Sequence, residues 1–218
     1  GGEKVGRYSF VASDPFLLLE AHGTRVKVSR RNAAGSKEAW ESEELEVPNP
    51  LETLREQVQA VRVVHLQELP PFIGGAVGYA GYDTVRYVER LPNAPYDDRS
   101  LPDLAFGLFD HMVVFDNVRK TVHVLALADL RGAQDDDEIA RRHQAACKRV
   151  DGYIAALNAP DDGLQLADID ARGPVTLPYK SNFTQTEFEQ AVRKCVEYIR
   201  AGDIFQVVIS QRLAIDFD

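Results

Sequence analysis

The stretch Pro15–Arg30, PFLLLEAHGTRVKVSR, places apolar residues at alternate positions on both sides of Gly23: Leu17, Leu19 and Ala21 before it, Val26 and Val28 after it. A period of two sends alternate side chains to opposite faces of an extended chain. Two such runs hinged on one glycine pair antiparallel, because a parallel return needs a crossover of a dozen or more residues. An antiparallel sheet is therefore required, and the rest of the chain must supply its neighbours and its cover.

More strands are legible. GRYSFVASDP alternates Tyr8, Phe10 and Ala12 against Arg7, Ser9 and Val11, the pattern of a half-buried strand. DLAFGLFDHMVVFD and KTVHVLALAD read as two long strands around a turn at NVRK. With that turn centred on Asn117, His111 and His123 oppose each other. Two opposed histidines can begin a metal site, but no third ligand is near in sequence, and an ordinary cross-strand pair is the plainer reading. In PPFIGGAVGYAGYD the glycines fall at Gly75, Gly78 and Gly81. That spacing is neither the dinucleotide fingerprint nor a P-loop, and it suits a crowded strand that another backbone approaches closely. Residues 30–48 are mostly polar, broken by Trp40 and Leu45, and read as a loop.

Three helices have start or stop chemistry. Asn49 can cap a helix whose first position is Pro50, with Glu52 placed for a capping box and Leu51, Leu54, Val58 and Val61 as its stripe. The acidic run Asp135–Asp137 suits the N-terminus of a second helix, capped by Asp135 with Glu138, with a stripe of Ile139, Ala146, Val150, Ile154 and Leu157. Thr184-x-x-Glu187 is a capping box for Gln185–Ala201, with Gly202 as the stop and Phe188, Val192, Cys195 and Ile199 as the expected buried face. The polar stretch 158–182, with Gly163, Gly173 and three prolines, divides the chain into a domain at 1–160, a linker at 161–182 and the start of a second domain at 183–218.

The formal charge of −9 disfavours a nucleic-acid partner, since phosphate binding needs a basic surface. No apolar run reaches the roughly 18–20 residues of a membrane span, and no signal peptide is visible, so no membrane role is expected and the cytoplasm is the default. Cys147 and Cys195 lie in helical patterns far apart, which favours free buried thiols over a disulfide. The start at Gly-Gly, not Met, suggests a piece of something longer.

The common catalytic constellations, G-x-S-x-G, H-E-x-x-H, paired Cys-x-x-Cys and the EF-hand loop, are missing. What remains is GDIFQVVISQR at Gly202–Arg212, an apolar run interrupted by Gln206. As a strand it points Ile204, Gln206, Val208, Ser210 and Arg212 one way, and Phe205, Val207, Ile209, Gln211 and Leu213 the other. Burying an amide without partners costs about 1–3 kcal/mol. Gln206 must therefore be hydrogen-bonded to structure or face a wet, polar cavity.

Four stretches taken together resemble one family: GRYSF (Gly6–Phe10), FIGGAVGYAGYDTVRYVERLP (Phe72–Pro92), DLAFGLFD (Asp103–Asp110) and AGDIFQVVISQR (Ala201–Arg212). In order along nearly the whole chain they are similar to the large subunits, component I, of anthranilate synthases. Aminodeoxychorismate synthase component I is the close alternative, although GYAGYDTVR and the Val at 208 look more like the anthranilate branch. A second alternative, of another class, is a non-catalytic module that binds an amino acid. The resemblance implies an α+β fold, antiparallel sheets covered by helices, with a regulatory N-terminal domain followed by a chorismate-binding catalytic domain. It implies a lyase that aminates chorismate with ammonia and releases pyruvate in tryptophan biosynthesis. It further implies a Mg²⁺ requirement, a glutamine amidotransferase partner subunit, and allosteric inhibition by tryptophan. The family's Mg²⁺ glutamates have no counterparts here, so this chain alone is expected to be inactive. The Leu-Leu-Glu-Ser stretch that precedes GRYSF in the family is missing, which leaves Arg7, Tyr8 and Ser9 as the expected edge of the tryptophan site; the alternative is a plain edge strand. Related isochorismate and salicylate synthases carry Lys where Gln206 stands. A Lys that loses its proton can activate water and a Gln cannot, so Gln206 is the expected catalytic residue of an ammonia-using site.

Overall fold

A computed structural model describes residues 6–31, 40–160, 163 and 177–216. The chain divides into two compact units, Gly1–Pro160 and Asp161–Asp218. Among the described residues no helix is long and apolar enough to cross a membrane.

The first unit is built on two antiparallel sheets. In the larger, β2 (Leu17–His22) and β3 (Arg25–Arg31) form the hairpin turning at Gly23, which takes the left-handed φ of 57°. β4 (Trp40–Glu46), β5 (Gly75–Ala80) and β6 (Leu104–Phe109) complete the order β4-β3-β2-β6-β5. One face carries Leu17, Leu19, Ala21, Val26, Val28, Leu104 and Leu108, all buried. Helix α1 (Pro50–Gln59) lays Leu51 and Leu54 against it. The Asn49 side chain accepts the Leu51 N–H, which holds the helix start where that stripe meets the sheet. The smaller sheet has the order β1-β7-β8, with β1 (Tyr8–Val11), β7 (His111–Asp116) and β8 (Thr121–Ala126). Helix α2 (Asp136–Asn158) packs on β8, its start capped by the Asp135 side chain, which accepts the Glu138 N–H. The fold class is α+β, with antiparallel sheets and helices on them.

Several expectations change. The span read as a loop contains β4, whose Glu46, Glu44 and Glu41 oppose Arg25, Lys27 and Arg30 of β3. Its charges suit an edge strand beside a basic neighbour and also discourage pairing with another chain. The long strand read through DLAFGLFDHMVVFD is two strands. It breaks at Asp110, where the chain passes from the larger sheet to the smaller. The following turn spans Asn117–Lys120, because the Asp116 carboxylate accepts the N–H groups of Val118 and Arg119. The register shifts accordingly: His123 opposes Val114 and His111 opposes Ala126, so the two histidines are not a pair.

The outer ends of the α2 stripe, Ile139, Ile154 and Leu157, are exposed, and only Ala146 is fully buried. Val58 of α1 is exposed as well, and Val61 lies beyond that helix. A stripe marks which face can be covered, not whether a neighbour reaches it. Both cysteines are free as expected, but Cys147 is exposed and Cys195 is half-buried.

In the second unit, α3 (Gln185–Ala201) begins with the full Thr184–Glu187 capping box and stops at Gly202, φ 83°. Its Val192 and Ile199 are exposed, so the expected buried face is only partly covered. β9 (Lys180–Ser181) pairs with β10 (Leu213–Ala214). Residues 203–212 form no strand, which corrects the sequence expectation: alternation assigns faces, but a ladder also needs a backbone alongside. Most of the expected linker, 161–162 and 164–176, lies outside the described residues.

Candidate functional site

Arg7, Tyr8 and Ser9 gather at the β7–β8 turn. Among the described residues β1 is an edge strand with one neighbour, and its register sets Tyr8 opposite Asp116 and Ser9 opposite Phe115. The Arg7 guanidinium donates from Nε to both carboxylate oxygens of Asp116, at 3.1 Å each, and from Nη2 to Oδ2 at 2.6 Å. Its Cζ stands 4.8 Å from the Tyr8 ring centroid, a cation–π contact. Asn117 donates its backbone N–H to the Arg7 carbonyl at 2.7 Å and its side-chain amide to Ser9 Oγ at 3.1 Å. Asp116 is 2% exposed. The hydrogen bonds from Arg7 hold its carboxyl far below the usual carboxylate range, aided by the N–H groups of Arg119 and Val118 and opposed by burial. The sequence marks Asn117 as a turn residue but gives neither it nor Asp116 a place in a site. The signal in the sequence is Asp-Asn opening a turn after an apolar run, a pairing that favours side-chain caps.

A second cluster occupies the break between the sheets. His111, 5% exposed, lies 2.7 Å through Nδ1 from Asp110 Oδ1, and Arg149 of α2 donates to Asp110 Oδ2 at 2.7 Å. Burial pushes the Asp110 carboxyl up, but the hydrogen bonds from His111 and Arg149 outweigh it and hold the carboxyl below its ordinary value. The His111 ring stacks on Tyr153, centroids 5.1 Å apart, and its buried Nε2 has no hydrogen-bond partner among the described residues. The cluster clasps α2 to the strand break. A third polar group lies at the far end of the larger sheet, where Asp103 Oδ2 accepts the Gly23 N–H at 2.7 Å and the Tyr87 hydroxyl at 3.0 Å. Burial, then the Asp103 hydrogen bond and charge, pushes the Tyr87 hydroxyl up.

Gln206 lies in the second unit, exposed and outside any strand. Its neighbours Phe205 and Val208 are 93% and 83% exposed. The expected face of Gln206, Ser210 and Arg212 is not assembled. The Arg212 backbone instead exchanges hydrogen bonds with Asn182, donating to its side-chain oxygen at 2.7 Å and accepting its N–H at 3.1 Å. Gln211, on the opposite alternation, donates to Ser181 Oγ at 2.6 Å. With Tyr179, Phe183 and Phe188 it lines an open hollow of about 430 Å³.

Among the described residues no group of three or more His, Cys, Asp or Glu side chains could hold a metal ion. His111 and His123, which stand opposite Ala126 and Val114, do not begin such a group.

The family model for chorismate binding enzymes matches residues 14–218. Among curated relatives, "Anthranilate synthase component 1" of Synechocystis sp. is 38% identical over 219 residues, covering 98% of this chain and 41% of the relative. The protein of that name in Acetivibrio thermocellus is 34% identical, covering 99% and 42%. "Anthranilate synthase alpha subunit 2, chloroplastic" of rice is 34% identical, covering 97% and 35%. Among solved structures, anthranilate synthase component I from Streptococcus pneumoniae superposes with a TM-score of 0.70 at 25% identity, over 97% of this chain and 42% of that one. The chain thus spans 41% and 42% of the length of the first two relatives.

Proposed function

The chain belongs to the chorismate binding enzyme family, and from that premise we propose that it is a portion of an anthranilate synthase large subunit, a lyase that converts chorismate and ammonia to anthranilate, pyruvate and water. The observation that carries this reading is that relatives bearing the anthranilate synthase name align with 97% or more of this chain at 34–38% identity. In the complete protein ammonia comes from a glutamine amidotransferase subunit, and Mg²⁺ is required, held by residues outside those described; tryptophan is the inhibitor and the cytoplasm the compartment.

Gln206 orients the nucleophile in this scheme. Its amide can donate and accept hydrogen bonds but cannot take a proton near neutral pH. It suits ammonia, which is already nucleophilic, and not water, which needs a base. Arg7, Tyr8 and Ser9 form one border of the tryptophan site, where an exposed edge strand carries an aromatic ring and a hydroxyl.

The test is Gln206→Lys in the complete protein with chorismate, ammonium and Mg²⁺, quantifying anthranilate and isochorismate together. Anthranilate formation should fall, with any new product being isochorismate. An undiminished rate would make Gln206 structural. The chain on its own should form no anthranilate, and fluorescence of that product from the purified chain would overturn the view that the catalytic residues lie elsewhere.

A further inference from the structure

We infer that Asp116 and Asn117, at the β7–β8 turn, are the positioning residues of the effector border at β1, and that Arg7 serves that anchor and not the ligand. The inference rests on the reading of Arg7, Tyr8 and Ser9 as part of the tryptophan site.

β1 has little apolar burial to hold it. Phe10 is 43% and Val11 58% exposed, and among the described residues β7 is its one strand partner. Its first residues are instead tied by polar contacts to one turn. Arg7 is bound through two nitrogens to a buried carboxylate, and Asn117 reaches the Arg7 carbonyl and Ser9 Oγ. Removing one partner of a buried charge pair leaves the other uncompensated, so the Arg7–Asp116 contact resists being exchanged for a ligand carboxylate. Val118 and Arg119 donate N–H groups to the same carboxylate, so the anchor and the turn are one rigid piece. Its effect on β1 is twofold. It neutralises the guanidinium that would attract an amino acid's carboxylate, and it fixes where the Tyr8 ring and Ser9 hydroxyl stand. Ligand contact falls to Tyr8 and Ser9, while Asp116 and Asn117 act through them.

The experiment compares tryptophan inhibition in the complete protein and its Asn117→Ala, Asp116→Asn and Ser9→Ala variants, with kcat and KM for chorismate measured alongside. Loss of one hydrogen bond of about 1 kcal/mol predicts that Asn117→Ala raises the inhibition constant about fivefold, with kcat and KM unchanged. Amide exchange should quicken at Tyr8–Val11 and nowhere else. Asp116→Asn should have the larger effect; should it fail to fold, Asn117→Ala, on an exposed turn, still decides. If Ser9→Ala weakens inhibition while Asn117→Ala leaves it unchanged, the positioning role is wrong and the site reading stands. If neither variant moves the inhibition constant, although β1 exchange quickens in Asn117→Ala, then β1 is a plain edge strand and the site reading itself fails.

Discussion

Gly78→Ala adds one methyl group where two backbones of the larger sheet approach closely. Gly78 of β5 lies opposite Phe106 of β6. A Cβ there would stand 2.0 Å from the Ala105 carbonyl oxygen and 2.7 Å from Phe106 Cα. Carbon–oxygen contacts relax at about 3.3 Å or more, so the overlap exceeds about 1 Å. It falls on backbone, which no rotamer change can move. The strands must part, and opening them by that amount takes the flanking ladder bonds beyond hydrogen-bond range. Two such bonds at about 1 kcal/mol each, with about 1–3 kcal/mol for overpacking, give a loss of about 3–5 kcal/mol. That is a large part of the roughly 5–15 kcal/mol that stabilises an ordinary domain. Gly152→Ala is the matched control: it lies inside α2 with nothing within 4 Å of its Cβ position. It should gain about 0.5–1 kcal/mol from helix propensity. Urea unfolding followed by the fluorescence of Trp40, the single tryptophan of the chain, reports directly on the larger sheet, because Trp40 begins β4. A Gly78→Ala protein within about 1 kcal/mol of the parent would refute the close-approach argument.

Two further outcomes concern stability. Asp116 has a depressed carboxyl pKa, so its stabilising contribution is complete above the unfolded value of about 3.9 and is lost as the pH falls toward the folded one. Asp129, held at about 2 chiefly by the hydrogen bond from Arg131, changes in the same direction. In thermal melts from neutral pH down to about pH 2.5, the gap between the parent and Asp116→Asn should therefore narrow below about pH 4; a constant gap would show that the Arg7 contact does not perturb Asp116. Thr184→Ala removes the side chain that accepts the Glu187 N–H and should cost about 1 kcal/mol. Its mark is faster amide exchange in the first turn of α3, and unaltered exchange there would show that the cap is dispensable.

The features legible in the sequence are those whose physics closes within a few residues. Asn49, Asp135 and the Thr184–Glu187 pair satisfy helix N–H groups two or three positions away, and Gly202 takes a backbone angle that side chains disfavour. Alternation about Gly23 specified a hairpin, and the glycine spacing specified a strand that accepts close backbone contact. Of the candidate site, Arg7, Tyr8, Ser9 and Gln206 could be nominated by resemblance, but their surroundings could not. Arg7 meets Asp116 across 109 positions. The identity of that partner depends on β1 lying beside β7, which alternation in either strand leaves open. The same dependence explains β4, whose acidic residues became a strand because β3 brings basic ones alongside. It explains His111 and His123 as well: a turn longer than its centre residue suggested changed every cross-strand pair beyond it. Residues 203–212 alternate as well as any strand in the chain, yet form none, because a ladder takes two backbones and alternation describes one.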